Sequence, residues 1–283
     1  FLMCSGALML PPERELAAKR LWLRHFPRLL ASMLVWAMVY KVYRLLTLGA
    51  LTVPALCQAA KEVLCFQQEF HFYYLQIMLL VYAALPVTRV FVRAASRRQV
   101  EYALLLWFAA GILWPTVRTY WPFTLMSGYG RYYMTMTYAS SGYGLLGWYL
   151  TADPPKKWLA WTALLAGCAL TLGGTLLRSL RAGALDEHWW EGMTLGVMLY
   201  SAGAFCLLHS AGSRLRRGKA VELLSSGSFC VYLVHVLFLY IFRDHGFTGA
   251  SFFPLAAVPL LALALLACSL AVYAILRKIP GVN

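Results

Sequence analysis

Three groups of residues in this 283-residue chain combine types and spacings that can do chemistry, and all three lie in or beside strongly apolar runs. In QQEFHFYYLQ, Glu69 and His71 stand at the start of such a run. A carboxylate near an imidazole can hold one ring tautomer, and the ring can then accept or deliver a proton. The same pair also reads as an interfacial couple hydrated by headgroup water. In SFCVYLVHVLFLYIF, His235 sits well inside an apolar run, and Ser228, Tyr232 and His235 fall at i, i+4 and i+7. That spacing puts them on one helical face, where their polar atoms can line a pocket. The competing reading is a histidine satisfied by a neighbouring helix. In LRHFPRLL, Arg24 and Arg28 project from one helical face, and guanidinium forks suit the phosphate oxygens of a nucleotide or coenzyme tail. Taken alone, they also read as charges that anchor a helix end at a membrane surface. Glu69, His71 and His235 are thus the catalytic candidates, Arg24 and Arg28 the binding candidates, and Ser228 and Tyr232 the pocket lining.

Other familiar chemistry is not signalled. The seven cysteines show no CxxC or Cys/His metal spacing, so no metal is expected, and no GxSxG, HExxH, Walker or GxGxxG pattern stands in a meaningful context. Cys57 and Cys65 share one loop and invite a disulfide if that loop is outside. Gly142, Gly144 and Gly147, with Ser140 and Ser141, read as a surface for close helix approach.

The elements that must position these residues are membrane helices. The chain is 61% hydrophobic and only 13% charged, with a mean hydropathy of +0.65, against about 25% charged in a soluble domain. Apolar runs of about 20 residues recur along it, the length needed to cross roughly 30 Å of hydrocarbon. The pattern predicts an all-α, polytopic integral membrane helical bundle. Its expected spans are a stub at 1–10 and full crossings at 29–48, 70–88, 101–117, 132–150, 158–177, 189–209, 221–242 and 252–276. The net charge of +14 does not point to nucleic acid, because the basic residues form short clusters between apolar runs. Seventeen lysines and arginines fall in one alternating set of loops and eight in the other. The richer set, with the C-terminus, is expected in the cytoplasm. No repeat of 20–50 residues is visible, which disfavours transporter folds built on inverted repeats.

Read in order, FLMCSGALML, LRHFPRLL, HFYYLQIMLLVYAALPVTR, SSGYGLLGWYL, SFCVYLVHVLFLY and the ending LRKIPGVN resemble acyltransferase family 3, the membrane O-acetyltransferases of surface polysaccharide, peptidoglycan and lipopolysaccharide. The resemblance covers nearly the whole chain as one domain, 1–283. It implies about ten spans in the intact fold, of which about nine are present here, and a bacterial inner-membrane location. It also implies acyl-CoA, usually acetyl-CoA, as a cytoplasmic co-substrate without a tightly bound cofactor, and a glycan hydroxyl as acceptor. On this likeness Arg24 and Arg28 correspond to the family's arginine motif, although their spacing departs from the tighter R-x-x-R form. His71 corresponds to the histidine that opens a family span, and His235 to that of a late YLxH motif. The family's first helix, with the histidine regarded as catalytic, is expected ahead of Phe1. The rival readings are an exporter or flippase of a glycan or small organic acid, and a sensor or binding module.

Overall fold

A computed structural model describes residues 1–13, 21–118, 136–212 and 218–278. Loop residues used above for orientation, among them Arg14, Lys19, Arg20, Arg131, Arg214, Arg216 and Arg217, lie outside the described residues, as do the start of the expected 132–150 span and the closing residues 279–283.

The protein is an all-α polytopic membrane protein. Among the described residues, seven helical segments are long and apolar enough to cross a membrane: Leu21–Thr47, Phe70–Ala94, Arg97–Val117, Lys157–Ala182, His188–Gly212, Lys219–Asp244 and Pro254–Leu276. In chain order we label the helices α1 (Leu2–Met9), α2 (Phe26–Thr47), α3 (Val53–Leu64), α4 (Tyr73–Ala94), α5 (Arg97–Trp107), α6 (Trp114–Arg118), α7 (Met136–Ala152), α8 (Lys157–Ala182), α9 (Leu195–Gly212), α10 (Lys219–Asp244) and α11 (Pro254–Leu276). A π-helical segment, Phe108–Leu113, joins α5 to α6. The proline ring of Pro115 would press on the carbonyl four residues back in an α-turn, and the wider turn ahead of it relieves that clash.

The helices sort into two compact units, residues 1–29 with 73–215, and residues 30–72 with 216–283. In the first, α8 lies along α9 and α1 lies along α7. The second contact depends on glycine: a Cβ on Gly6 would stand 1.8 Å from the Gly144 carbonyl oxygen, and one on Gly147 would stand 2.2 Å from that of Met3. The small-residue face of α7 is therefore a packing surface, as its composition indicates. Arg89, buried on α4, donates to the Met9 carbonyl at the open end of α1, and Arg93 donates to Pro12.

The second unit contains α2 from Leu30 onward, α3, α10 and α11. Large apolar side chains on α11, such as Leu255, Leu260 and Leu263, are exposed. In hydrocarbon such a surface is satisfied without further packing. The short α3 falls within a stretch read from sequence as a loop. Thr52 accepts from the Ala55 amide at 3.4 Å as its N-cap, and proline occupies its first turn. The helix also answers the disulfide question. Cys57 and Cys65 are both free, because eight residues of helix separate their backbones by about 12 Å, beyond the 7 Å or so that a disulfide tolerates.

Candidate active site

The second unit brings together Glu69, His71, Tyr232 and His235, and adds Tyr40, Arg44 and Tyr240. The local chain geometry begins at the end of α3. There Phe66 adopts φ = +60°, while the Gln67 amide bonds to Glu62 and the Phe66 amide to Val63. This is a Schellman ending with phenylalanine where glycine is usual. It turns the chain into the 3₁₀ turn Phe70–Phe72, closed by the Phe72 amide on the Glu69 carbonyl at 3.0 Å.

Glu69 is only 6% exposed. A carboxylate taken out of water must find compensation, and here Arg44 Nη2 and Tyr240 Oη each donate to its Oε2 at 2.8 Å. The Arg44 guanidinium also stands 5.6 Å from the Tyr240 ring centre. One turn earlier on α2, Lys41 pairs with Glu62 of α3 at 2.5 Å. Hydrogen bonds to Glu62 from Lys41 and then from Gln58 hold its carboxyl below the usual range.

Glu69 therefore does not orient His71. Also 6% exposed, His71 has both ring nitrogens without a hydrogen-bond partner among the described residues. Its ring is enclosed by aromatic neighbours, with centroids at 4.3 Å to Phe72, 5.3 Å to Tyr40, 5.5 Å to Phe70, 5.6 Å to His235 and 5.9 Å to Tyr232. The backbone is tied instead: Tyr232 Oη donates to the His71 carbonyl. Buried polar atoms of native proteins are rarely left unpaired without a functional reason.

His235 presents a defined tautomer. Its Nδ1 lies 3.1 Å from the Val231 carbonyl oxygen and 2.9 Å from that of Tyr232. Carbonyls only accept, so Nδ1 carries the proton and Nε2 is left as the basic nitrogen. Ser228 does not join the group. It is exposed, and its hydroxyl donates to the Ser225 carbonyl of its own helix at 2.8 Å.

Arg24 and Arg28 belong to the other unit. Arg24 lies in a π-helical turn, Leu21–His25, and Arg28 in the first turn of α2. Both are exposed, and neither has a hydrogen-bond or ion-pair partner among the described residues. Two unpaired guanidinium groups can take up an anion without first breaking an internal bond.

Sequence reasoning missed Tyr40, Arg44 and Tyr240 as parts of the site. The available signal was Arg44 itself, a charge inside an expected span that had to have a carboxylate partner. The family model described as an acyltransferase domain, that of acyltransferase family 3, matches residues 1–274 of the chain. No curated protein and no solved structure matches it.

Proposed function

The chain belongs to acyltransferase family 3 and is a multi-pass membrane acyltransferase, and from that premise we propose that it moves an acetyl group from cytoplasmic acetyl-CoA to a hydroxyl of an envelope glycan. The observation that carries this reading is the pair of His71, buried, and His235, half-buried, rings 5.6 Å apart, with three ring nitrogens not engaged by any of the described residues. His235 Nε2 takes the proton of the acceptor hydroxyl as its oxygen attacks the thioester carbonyl. The tetrahedral intermediate collapses with loss of the coenzyme thiolate, which recovers the proton. His71 serves in this scheme as the neighbouring donor, or as the nucleophile that carries the acetyl group between the two substrates. Glu69 acts indirectly, by fixing the turn that presents His71 through Arg44 and Tyr240.

Arg24 and Arg28 are assigned to the coenzyme phosphates. Their place at the basic start of α2, together with the excess of lysine and arginine on that set of loops, supports a cytoplasmic side for the donor and for the C-terminus, and membership of the family supports a bacterial inner membrane as the setting.

The test is binding and slow hydrolysis of radiolabelled acetyl-CoA by the purified chain in detergent. We expect Arg28→Ala to weaken coenzyme binding about tenfold or more, as for loss of a charged hydrogen bond, and His235→Ala to stop hydrolysis while binding persists. Equal coenzyme affinity in wild type and Arg28→Ala would reject the arginine assignment. Absence of any interaction with acyl-CoA would reject the transferase.

A further inference from the structure

Tyr40, on α2, is fully buried, and its hydroxyl has an unusual pair of partners. It donates to the Leu233 carbonyl at 3.0 Å and accepts from the Leu237 amide at 2.9 Å. In a regular α-helix those two groups belong to each other, as the i+4 amide and the i carbonyl of one rung. A buried phenol needs one partner to be satisfied. Tyr40 instead bridges both ends of a single backbone rung. The helix runs unbroken through this rung, so Tyr40 braces a turn of regular helix from the side of α2.

The turn closed by that rung contains residues 234 to 236, and His235 is the middle one. Its Nδ1 reaches back to Val231 and Tyr232 in the preceding turn. The Tyr40 ring also touches the other histidine, with centroids 5.3 Å apart. One side chain thus contacts the His71 ring and the backbone turn that carries His235. In the opposite direction, Tyr232 of α10 ties the His71 carbonyl. The two tyrosine hydroxyls cross-brace the two histidines.

We propose that Tyr40 is a positioning residue for His235: by bridging the Leu233–Leu237 rung it sets the ring angle and the Nδ1–H tautomer that leave Nε2 as the basic nitrogen beside His71. This rests on the reading of His235 as the proton acceptor. Tyr40→Phe keeps the ring contacts and removes only the two hydrogen bonds to this rung, so the turn that carries His235 loses its brace and the ring is re-aimed. A misplacement of about 1 Å at a reacting group is enough to lower turnover on the order of 10²-fold.

The experiment uses the full chain in detergent with ¹⁵N-labelled histidine, the His235 signals being assigned by comparison with His235→Gln. Wild type should show one protonated Nδ1 and a bare Nε2. In Tyr40→Phe that signature should give way to a mixture of tautomers, and kcat for acetyl-CoA hydrolysis should fall about tenfold or more while KM changes less than about twofold. Unchanged nitrogen shifts would overturn the proposal. Full turnover in His235→Gln would overturn the reading beneath it. Should Tyr40→Phe not fold, 3,5-difluorotyrosine at position 40 keeps both hydrogen bonds while changing their strength. The His235 nitrogen shifts must then move, and their failure to move overturns the proposal.

Discussion

The imidazoles of His71 and His235 meet edge to face, with ring centroids 5.6 Å apart and ring planes at 71°. Among the described residues, one ring has no hydrogen-bond partner and the other is held through Nδ1 alone. Two histidines acting as a unit give non-additive losses. We expect His71→Ala and His235→Ala each to lower acetyl transfer by about 10²–10⁴-fold, and the double variant to be little worse than the more damaged single one. Transfer from radiolabelled acetyl-CoA measures this, and full activity in either single variant would remove that residue from the site.

The Arg44–Glu69 pair is asymmetric, with the Arg44 side chain 52% exposed and that of Glu69 4%. Removing the arginine leaves a buried carboxylate with Tyr240 as its remaining donor, whereas removing the carboxylate leaves an arginine that water and headgroups can reach. Arg44→Met should therefore destabilise by about 1–3 kcal/mol, more than Glu69→Gln. The double variant should recover part of that loss. Thermal unfolding in detergent reads the order, and the reverse order would mean that Glu69 is not buried as described.

Two carboxylates outside the spans make acid stability predictable in sign. Hydrogen bonds from Lys41 and Gln58 lower the Glu62 carboxyl, and those from Arg178 and the His188 amide lower that of Asp186. A carboxyl depressed in the folded state contributes stability that is fully present above its unfolded value, about 4.3 for Glu and 3.9 for Asp. That contribution is lost as pH falls through the folded value. The unfolding temperature should therefore drop below about pH 4, and Asp186→Asn should make the drop shallower. An acid limb identical in wild type and variant would show that this pair contributes nothing measurable.

Gly6→Ala should separate α1 from α7, since the new methyl would overlap the Gly144 carbonyl oxygen, only 1.8 Å from its ideal position. Backbone cannot yield as a side-chain tip can, so the loss should be at least about 1–3 kcal/mol. Gly173→Ala is the control, because a Cβ there meets no atom of the described residues within 4 Å. Equal unfolding temperatures for the two variants would contradict the close approach.

The spans were legible because hydrocarbon imposes one rule on every crossing, a long apolar run with its backbone bonded internally. The site was legible only in part, because its partners are remote in sequence. Lys41 and Arg44 weaken the look of α2 as a span until Glu62 and Glu69 are seen to neutralise them, and no local pattern reveals those pairings. Periodicity puts Ser228, Tyr232 and His235 on one face; the rings of Tyr232 and His235 approach that of His71, while the Ser228 hydroxyl turns back on its own helix. Tyr40 carried no signal at all, since a tyrosine in an apolar run is ordinary and its partners are backbone atoms of another helix.

The second unit ends three helices in the same backbone motif, and two of them obey its usual chemistry. Gly49 closes α2 at φ = +63° and Gly246 closes α10 at φ = +82°, whereas α3 closes on Phe66 at +60°. A left-handed non-glycine residue is strained by about 1–2 kcal/mol, and the flexibility of glycine in the unfolded chain would return about 0.5–1 kcal/mol of that. Phe66→Gly should thus raise the unfolding temperature slightly while loosening the turn that leads to Glu69 and His71. An engineer selecting this enzyme for heat resistance alone would be drawn to that position, and durability gained there would be set against catalytic rate.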